Sequence, residues 1–192
     1  MSTRRAAALA VAVAVLATPS VRAEPESFTL DPSHTIPSFA VSHLGLSVQR
    51  GLFTRASGTV VIDRAAKTGR VEVAVDPASL ETGDRLRDRI LRGDGWFDVE
   101  HHPAISFRAQ RVVFEGDVPV AADGELTLRG VTRPLRLTIR DFRCGMQPLT
   151  RRPLCGAEVG ATVRRSDFGM TDWLKDVGDD VAVTIQAEGY RD

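Results

Sequence analysis

The stretch Val181–Glu188 reads Val-Ala-Val-Thr-Ile-Gln-Ala-Glu, with an apolar side chain at every odd-numbered position. Successive side chains of a β-strand point to opposite faces of the sheet, so the odd positions share one face. Threonine, glutamine and glutamate fall on the other face. The stretch therefore predicts a strand with one buried face and one face in water.

The same alternation recurs along most of the chain and predicts an all-β protein. Alternating runs occupy residues 71–75, 125–129, 135–140 and 158–164, and shorter ones occupy 28–31, 36–43, 53–63 and 104–114. One apolar and one polar face is typical of antiparallel sheets. About eight such strands leave exposed edges unless the sheet closes into a barrel. A two-sheet sandwich is the alternative, and alternation alone does not separate the two.

The connections between these runs carry hairpin signals. Residues 65–69 separate two strands, and residues 129–134 join two others by a short turn. Asp123-Gly124 is a favoured hairpin pair and is expected to introduce the strand at 125–129.

Residues 79–92 break the alternation and predict a short, highly charged helix. Thr82 or Asp84 is the expected N-cap, and Gly93 is expected to end the helix. Its apolar positions are Leu86, Ile90 and Leu91. We expect this helix to lie across the sheet or across a barrel mouth.

The first 23 residues have the features of a cleavable secretory signal peptide. Arg4 and Arg5 precede an uncharged apolar run over residues 6–17, and Val21 and Ala23 offer small side chains at the −3 and −1 positions for cleavage after Ala23. That run is too short for a membrane anchor, which needs about 20 residues. We expect a soluble periplasmic protein, or one secreted further, made of residues 24–192.

The expected mature chain of residues 24–192 fits a single domain. Loss of three arginines with the signal peptide leaves 22 basic and 25 acidic residues, with both signs interspersed. This balance predicts no basic surface patch for binding nucleic acid or an anionic membrane surface.

The two cysteines, Cys144 and Cys155, predict a disulfide at the base of a surface loop. A redox pair is the alternative. The spacing is not Cys-x-x-Cys and no helix start lowers either thiol pKa, so the structural bridge is favoured.

Four histidines are candidates for chemistry: His34, His43, His101 and His102. None has the short spacing of a zinc site, so we predict no metal. Nucleophile elbows and phosphate-binding glycine loops are absent from the sequence, which disfavours catalysis. His43 shares the apolar face of its strand, where it is either a satisfied core residue or a polar group facing a cavity.

Aromatic residues concentrate at strand ends and in loops, notably Phe39, Phe53, Trp96 and Trp173. They either plug a barrel or line the neck of a ligand tunnel. An eight-stranded barrel is just wide enough for either arrangement.

In order along the chain, several segments resemble the YceI-like family of periplasmic, lipocalin-like proteins that bind polyisoprenoids. These segments are residues 28–35, 39–45, 51–53, 79–82, 87–98, 102–107, 124–132, 164–170 and 177–181. Together they cover nearly the whole chain from Phe28 to Gly189.

The resemblance implies an extended eight-stranded antiparallel barrel with one short helix near its end. It also implies a tunnel for a polyisoprenoid, such as an isoprenoid quinone or polyprenyl phosphate, or for a similar amphiphile. This lipid is the only bound group implied, without a further cofactor. The candidate ligand-binding residues are Phe39, Val41, His43, Phe53, Trp96, Phe97, Ile105, Phe107, Phe168 and Trp173.

The leading functional hypothesis is a non-enzymatic protein that carries, stores or sequesters such a lipid. The alternative is an enzyme acting on a lipid head group, using His34 or His43 with Asp31 or Asp88. A third interpretation adds a protein partner, such as a membrane cytochrome that exchanges quinone or another envelope protein. Whether the chain is a monomer or a homodimer stays open.

Overall fold

The computed structural model describes residues 24–192, which form eleven β-strands and one α-helix. The predicted signal peptide lies outside the described residues. The elements are β1 Glu26–Leu30, β2 Ile36–His43, β3 Ser47–Phe53, β4 Ala56–Asp63, β5 Thr68–Val75, β6 Leu80–Glu81, α1 Arg85–Arg92, β7 Ile105–Glu115, β8 Val118–Leu128, β9 Val131–Met146, β10 Pro153–Arg164 and β11 Val177–Arg191.

The sheet closes on itself, which confirms the antiparallel barrel and excludes the sandwich. Eight strands pair around the ring in the order β1, β4, β5, β7, β8, β9, β10 and β11. The ring is closed by β1 against β11, with Phe28 opposite Arg191 and Leu30 opposite Gly189. Closure leaves no edge in this ring.

Three further strands lengthen the barrel at one end. β2 continues the path of β1 after the turn at residues 31–35 and pairs with the first part of β11. β3 pairs with β2 and the two-residue β6 pairs with β3, and α1 follows β6. The helix therefore lies at the extended end, which we call the helix end.

The helix is shorter than the predicted stretch 79–92, because Pro77–Ser79 form a 3₁₀ turn and Leu80–Glu81 form β6. Of the two expected N-caps, Asp84 rather than Thr82 caps it, and Gly93 ends it as predicted. The Asp84 carboxylate accepts hydrogen bonds from the amides of Leu86 and Arg87, and the Gly93 amide donates to Ile90 at the end of α1. Of the predicted apolar face, only Leu91 packs against a core cluster. Leu86 and Ile90 are 61% and 53% exposed, so the chain leaves most of this face uncovered.

One turn prediction was wrong. Asp123 and Gly124 lie inside β8, and the chain turns instead at residues 116–117, where Gly116 has φ 58°. Gly124 is required for a different reason, because a Cβ there would sit 2.3 Å from the carbonyl oxygen of Arg108. The strand pairing shifts register at this point, so the glycine permits a close approach of β7.

The predicted disulfide is present. Cys144 and Cys155 lie directly opposite each other on β9 and β10, and their sulfur atoms are bonded. Both strands run past the bridge, so the connecting loop is only residues 147–152. The bridge stands at the end of the barrel opposite α1.

Candidate functional site

The barrel encloses an apolar cavity of about 400 Å³ at the helix end. Thirty residues line it and twenty-three of them are apolar, so the wall suits an apolar ligand. Trp173 and Ile90 belong to this lining and are 68% and 53% exposed. The cavity therefore opens to solvent between the helix and the loop before β11.

The alternation seen in the sequence builds this wall. Val181, Val183 and Ile185 of β11 all face the cavity, whereas Ala182, Thr184 and Gln186 are exposed on the outside of the barrel. Strands β2, β5, β7, β8 and β9 contribute inward faces in the same way. Period two thus separates the lining from the outer surface.

Three phenylalanines of the wall pack against one another. The ring of Phe53 is 5.9 Å from that of Phe39 and 5.4 Å from that of Phe97, the latter pair meeting edge to face. A Cβ on Gly51 would come within 2.4 Å of the Phe39 ring, so glycine is needed for this ring to lie over β3. Aromatic pairs at these separations stabilise each other by about 0.5–1.5 kcal/mol.

Side chains pack the barrel where the cavity ends. Phe107 and Leu137, which line the cavity, form a buried cluster there with Ala109 and Ala122. The sequence left open whether the interior is a pocket or a core. It is both, with a cavity at the helix end and a packed core beyond it.

Polar groups gather where the cavity meets solvent. The Arg87 guanidinium donates to Thr82 Oγ1 at 2.8 Å, to the Thr82 carbonyl at 2.9 Å and to Gln49 Oε1 at 2.9 Å. The buried Asp88 carboxylate accepts from the Thr82 hydroxyl and amide. This network ties α1 to β3 and fixes one cation at the mouth.

His43, Arg50 and Asp176 also line the mouth. Among the side chains of residues 24–192, none supplies a hydrogen bond or ion pair to these three. The location of His43 answers the question left by the sequence, because it faces the cavity. The three groups are free to meet the polar part of a ligand.

Arg165 is a buried cation beside the same cavity. It is 2% exposed and donates to the carbonyl oxygens of Met170 at 2.6 Å, Val177 at 2.8 Å and Gly178 at 2.9 Å. Its guanidinium lies 4.9 Å from the ring of Trp96. Burial lowers the pKa of Arg165, and the nearby carboxylates of Asp179 and Asp172 oppose this shift. The side chain fastens the loop that carries Trp173.

Nine of the ten candidate ligand-binding residues line the cavity. These are Phe39, Val41, His43, Phe53, Trp96, Phe97, Ile105, Phe107 and Trp173. Phe168 does not, because it is buried against Leu128, Val163 and Met170, and so supports the wall from behind. Ligand contact by the other nine stays a prediction.

Several lining groups escaped the sequence analysis. Gln49 lies on the same face of β3 as Phe53, so parity could have placed it on the cavity. Arg165 sits in a 3₁₀ turn over Arg165–Phe168, where no alternation operates. The carbonyl groups that Arg165 contacts lie next to it only once the chain has folded.

One pair of the enzymatic hypothesis forms, but it lies away from the cavity. His34 pairs with Asp31 at 2.8 Å, and neither residue lines the cavity. His34 instead borders a second depression of about 730 Å³, which is more open and has a mixed polar lining beside the disulfide. The hydrogen bond between His34 and Asp31 raises the pKa of His34 and lowers that of Asp31. Asp88 is buried against Thr82.

Within residues 24–192, no cluster of three or more His, Cys, Asp or Glu side chains is arranged to hold a metal ion. In the same range, no helix is long and apolar enough to cross a membrane.

An eight-stranded antiparallel barrel with an apolar cavity open at one end is a lipocalin-like architecture. Residues 28–189 match the YceI-like domain, and the chain belongs to the YceI-like family. A UPF0312 protein of Pectobacterium atrosepticum is 31% identical over 182 residues, which cover 94% of each chain.

Solved structures show the same fold. BcnA of Burkholderia cenocepacia superposes with a TM-score of 0.66 at 20% identity, covering 83% of this chain and 98% of that one. A polyisoprenoid binding domain from Saccharophagus degradans, implicated in plant cell wall breakdown, superposes with a TM-score of 0.63 at 16% identity. That match covers 86% of this chain and 98% of the domain.

Proposed function

We propose that this protein binds a polyisoprenoid or similar long amphiphile, with the tail in the cavity and the polar head at the mouth. The observation that carries the proposal is the apolar cavity of about 400 Å³ with its polar side chains gathered at one end. The Saccharophagus degradans neighbour, described as polyisoprenoid binding, supports the same ligand class.

In this proposal, burial of the tail supplies most of the binding free energy. Micromolar binding corresponds to about 8.2 kcal/mol. At about 25 cal/mol per Å² this needs about 330 Å² of apolar ligand surface removed from water. An isoprenoid tail meets an almost wholly apolar wall here, so charge is needed only for the head.

The mouth favours an anionic head group. Arg50 and Arg87 line it together with His43, against the single carboxylate of Asp176. Guanidinium groups bind phosphate oxygens through charge-assisted hydrogen bonds. Of the two ligands expected from the sequence, a polyprenyl phosphate therefore suits the mouth better than a quinone.

The proposed role is non-covalent: the protein carries, stores or sequesters the lipid in the periplasm, after export and cleavage following Ala23. His34 and Asp31 pair away from the cavity and Asp88 is buried against Thr82, which supports binding rather than catalysis. N-terminal sequencing of the envelope-derived protein is expected to begin at Glu24, and a chain starting at Met1 would contradict the export step.

Native mass spectrometry of protein purified from its own cell envelope tests the proposal. We expect a non-covalent adduct that releases an isoprenoid lipid on organic extraction. Protein that carries no apolar adduct, and takes up neither geranylgeranyl phosphate nor geranylgeraniol, would contradict the proposal. These two probes share a tail, so the difference in their affinities isolates the contribution of the head.

A matched pair of variants locates the ligand. Val183→Trp places an indole inside the cavity, and Thr184→Trp places one on the outer face of the same strand. We expect Val183→Trp to lose geranylgeranyl phosphate binding and Thr184→Trp to retain it, with both unfolding cooperatively. Equal binding by the two variants would place the ligand outside the cavity.

A further inference from the structure

The exposed apolar side chains are concentrated around the cavity mouth. Among residues 24–192, ten large hydrophobic side chains are exposed, and seven of them lie in three short segments. The seven are Leu44, Leu46, Val48, Leu86, Ile90, Trp173 and Leu174. Isolated exposed apolar residues are ordinary, but a concentrated patch marks an interaction surface.

The three segments adjoin one another. The Leu44 amide donates to the Asp176 carbonyl at 2.6 Å, joining the β2–β3 turn to the loop before β11. Arg87 donates to Gln49 at 2.9 Å, joining α1 to β3. Each segment also contributes to the cavity lining. We call residues 43–50, 84–92 and 171–176 together the mouth rim.

The helix contributes a basic amphipathic surface to the mouth rim. Leu86 and Ile90 lie one turn apart, and Arg85 and Arg89 form the adjacent column, with all four exposed. Neighbouring columns of apolar and basic side chains are the pattern of helices that lie in a membrane interface.

Charge is distributed unevenly between the mouth rim and the rest of the molecule. The mouth rim carries six arginines and lysines and four aspartates, whereas the remainder of residues 24–192 carries sixteen basic and twenty-one acidic residues. The mouth rim therefore has a formal net charge of +2, and the rest of residues 24–192 has one of −5. Although the charges of the whole chain nearly balance, the mouth rim is therefore cationic.

We propose that the mouth rim is a membrane-docking surface, which seats the cavity opening on an anionic lipid bilayer. Leu46, 86% exposed in a turn, and Leu86 would enter the bilayer surface, with Trp173 at the level of the head groups. Arg50, Arg85 and Arg89 would meet the lipid phosphates. A bilayer satisfies the apolar and the cationic parts of the mouth rim together, and a lipid ligand would reach the cavity without crossing water.

Vesicle flotation tests the docking surface. The full mature protein is mixed with vesicles of phosphatidylethanolamine and phosphatidylglycerol at a 3:1 molar ratio, and with phosphatidylcholine vesicles. We expect the Leu46→Gln/Leu86→Gln variant to partition about tenfold or more weakly than the wild type. The control is Leu149→Gln in the β9–β10 loop at the opposite end, where Leu149 is 89% exposed, and it is expected to bind like the wild type.

The charge contribution is tested separately. We expect Arg85→Gln/Arg89→Gln to weaken binding to the phosphatidylglycerol vesicles, to leave phosphatidylcholine binding unchanged and to flatten the salt dependence. Arg140→Gln/Arg143→Gln on β9 removes the same charge away from the mouth and is expected to leave all three measurements unchanged.

Three outcomes would overturn the proposal. These are wild-type protein that does not float with anionic vesicles, a Leu46→Gln/Leu86→Gln variant that floats like the wild type, and a dimer in sedimentation that this variant dissociates. Lipid occupancy of the cavity is measured on the same samples by native mass spectrometry. Because neither leucine lines the cavity, lost flotation with retained lipid supports docking, and an empty cavity with retained flotation refutes only the proposed ligand.

Discussion

Replacing Arg165 by methionine removes the guanidinium that fastens the loop before β11 to the barrel. The side chain is 2% exposed and donates to the carbonyl oxygens of Met170, Val177 and Gly178 at 2.6–2.9 Å. Methionine retains most of the length and packs in the same space, but it cannot donate a hydrogen bond. The variant therefore isolates the three polar contacts.

The expected loss of stability follows from those contacts. A buried carbonyl without a donor costs about 1–3 kcal/mol, so three of them cost about 3–9 kcal/mol. Two effects reduce this sum. Methionine avoids the desolvation of a charge, which is several kcal/mol, and water can reach the half-buried Val177 and Gly178. We expect a net loss of about 3 kcal/mol in the free energy of unfolding.

Urea unfolding followed by circular dichroism measures this loss. The matched control is Arg129→Met, since Arg129 donates to the carbonyls of Gly169 and Asp94 at 2.9 and 2.8 Å but is only half-buried. Water replaces exposed hydrogen bonds at little cost, so we expect a loss below about 1 kcal/mol there. Hydrogen exchange at residues 171–177 is expected to accelerate only in Arg165→Met.

Equal midpoints for wild type, Arg165→Met and Arg129→Met would refute this reasoning. So would a destabilised Arg165→Met variant whose loop exchanges no faster than that of the wild type. The first result would mean that burial of the charge cancels its hydrogen bonds, and the second that the loop is held by other contacts.

Three further predictions concern parts of the molecule away from Arg165. Cys144→Ser/Cys155→Ser opens a loop with sequence separation 11. The loop-entropy relation gives a loss of about 2.8 kcal/mol in the free energy of unfolding, which corresponds to a Tm lower by about 6–11 °C in calorimetry. An unchanged Tm would show that the bridge does not stabilise the fold. The His34 pKa, raised by its hydrogen bond to Asp31, is expected to fall towards its ordinary value in Asp31→Asn when the imidazole is titrated by NMR. The pair stabilises the fold below the unfolded pKa of about 6.5, and this contribution is lost as pH rises through the higher folded pKa; identical titrations would exclude the coupling. Asp84→Ala removes the N-cap of α1 and is expected to cost about 1 kcal/mol in urea unfolding, while Asp84→Asn keeps the acceptor and most of the stability.

Local patterns predicted the individual elements well. The alternation over 181–188 placed Val183 inside and Thr184 outside. The helix end at Gly93 was predicted because a cap acts within one turn, whereas Thr82 and Asp84 were left as alternative N-caps. The pair Asp123-Gly124 gave a wrong prediction because, like the other signals, it was interpreted from its local sequence alone. It is a good turn in isolation, but the strand pairing needed a glycine at that point to admit a carbonyl of the neighbouring strand.

The sequence by itself determined which face of each strand is apolar, where the helix ends, and that two cysteines were available to pair. These properties depend on side chains a few positions apart, so the local order of residues predicts them. The tertiary structure alone decided that β1 meets β11, that a cavity remains at the helix end, and that Leu86 and Ile90 stay more than half exposed. It also gathered Arg165 and three carbonyls into one contact. Barrel closure, cavity volume and side-chain exposure depend on contacts between residues far apart in the chain, so no local sequence pattern predicts them.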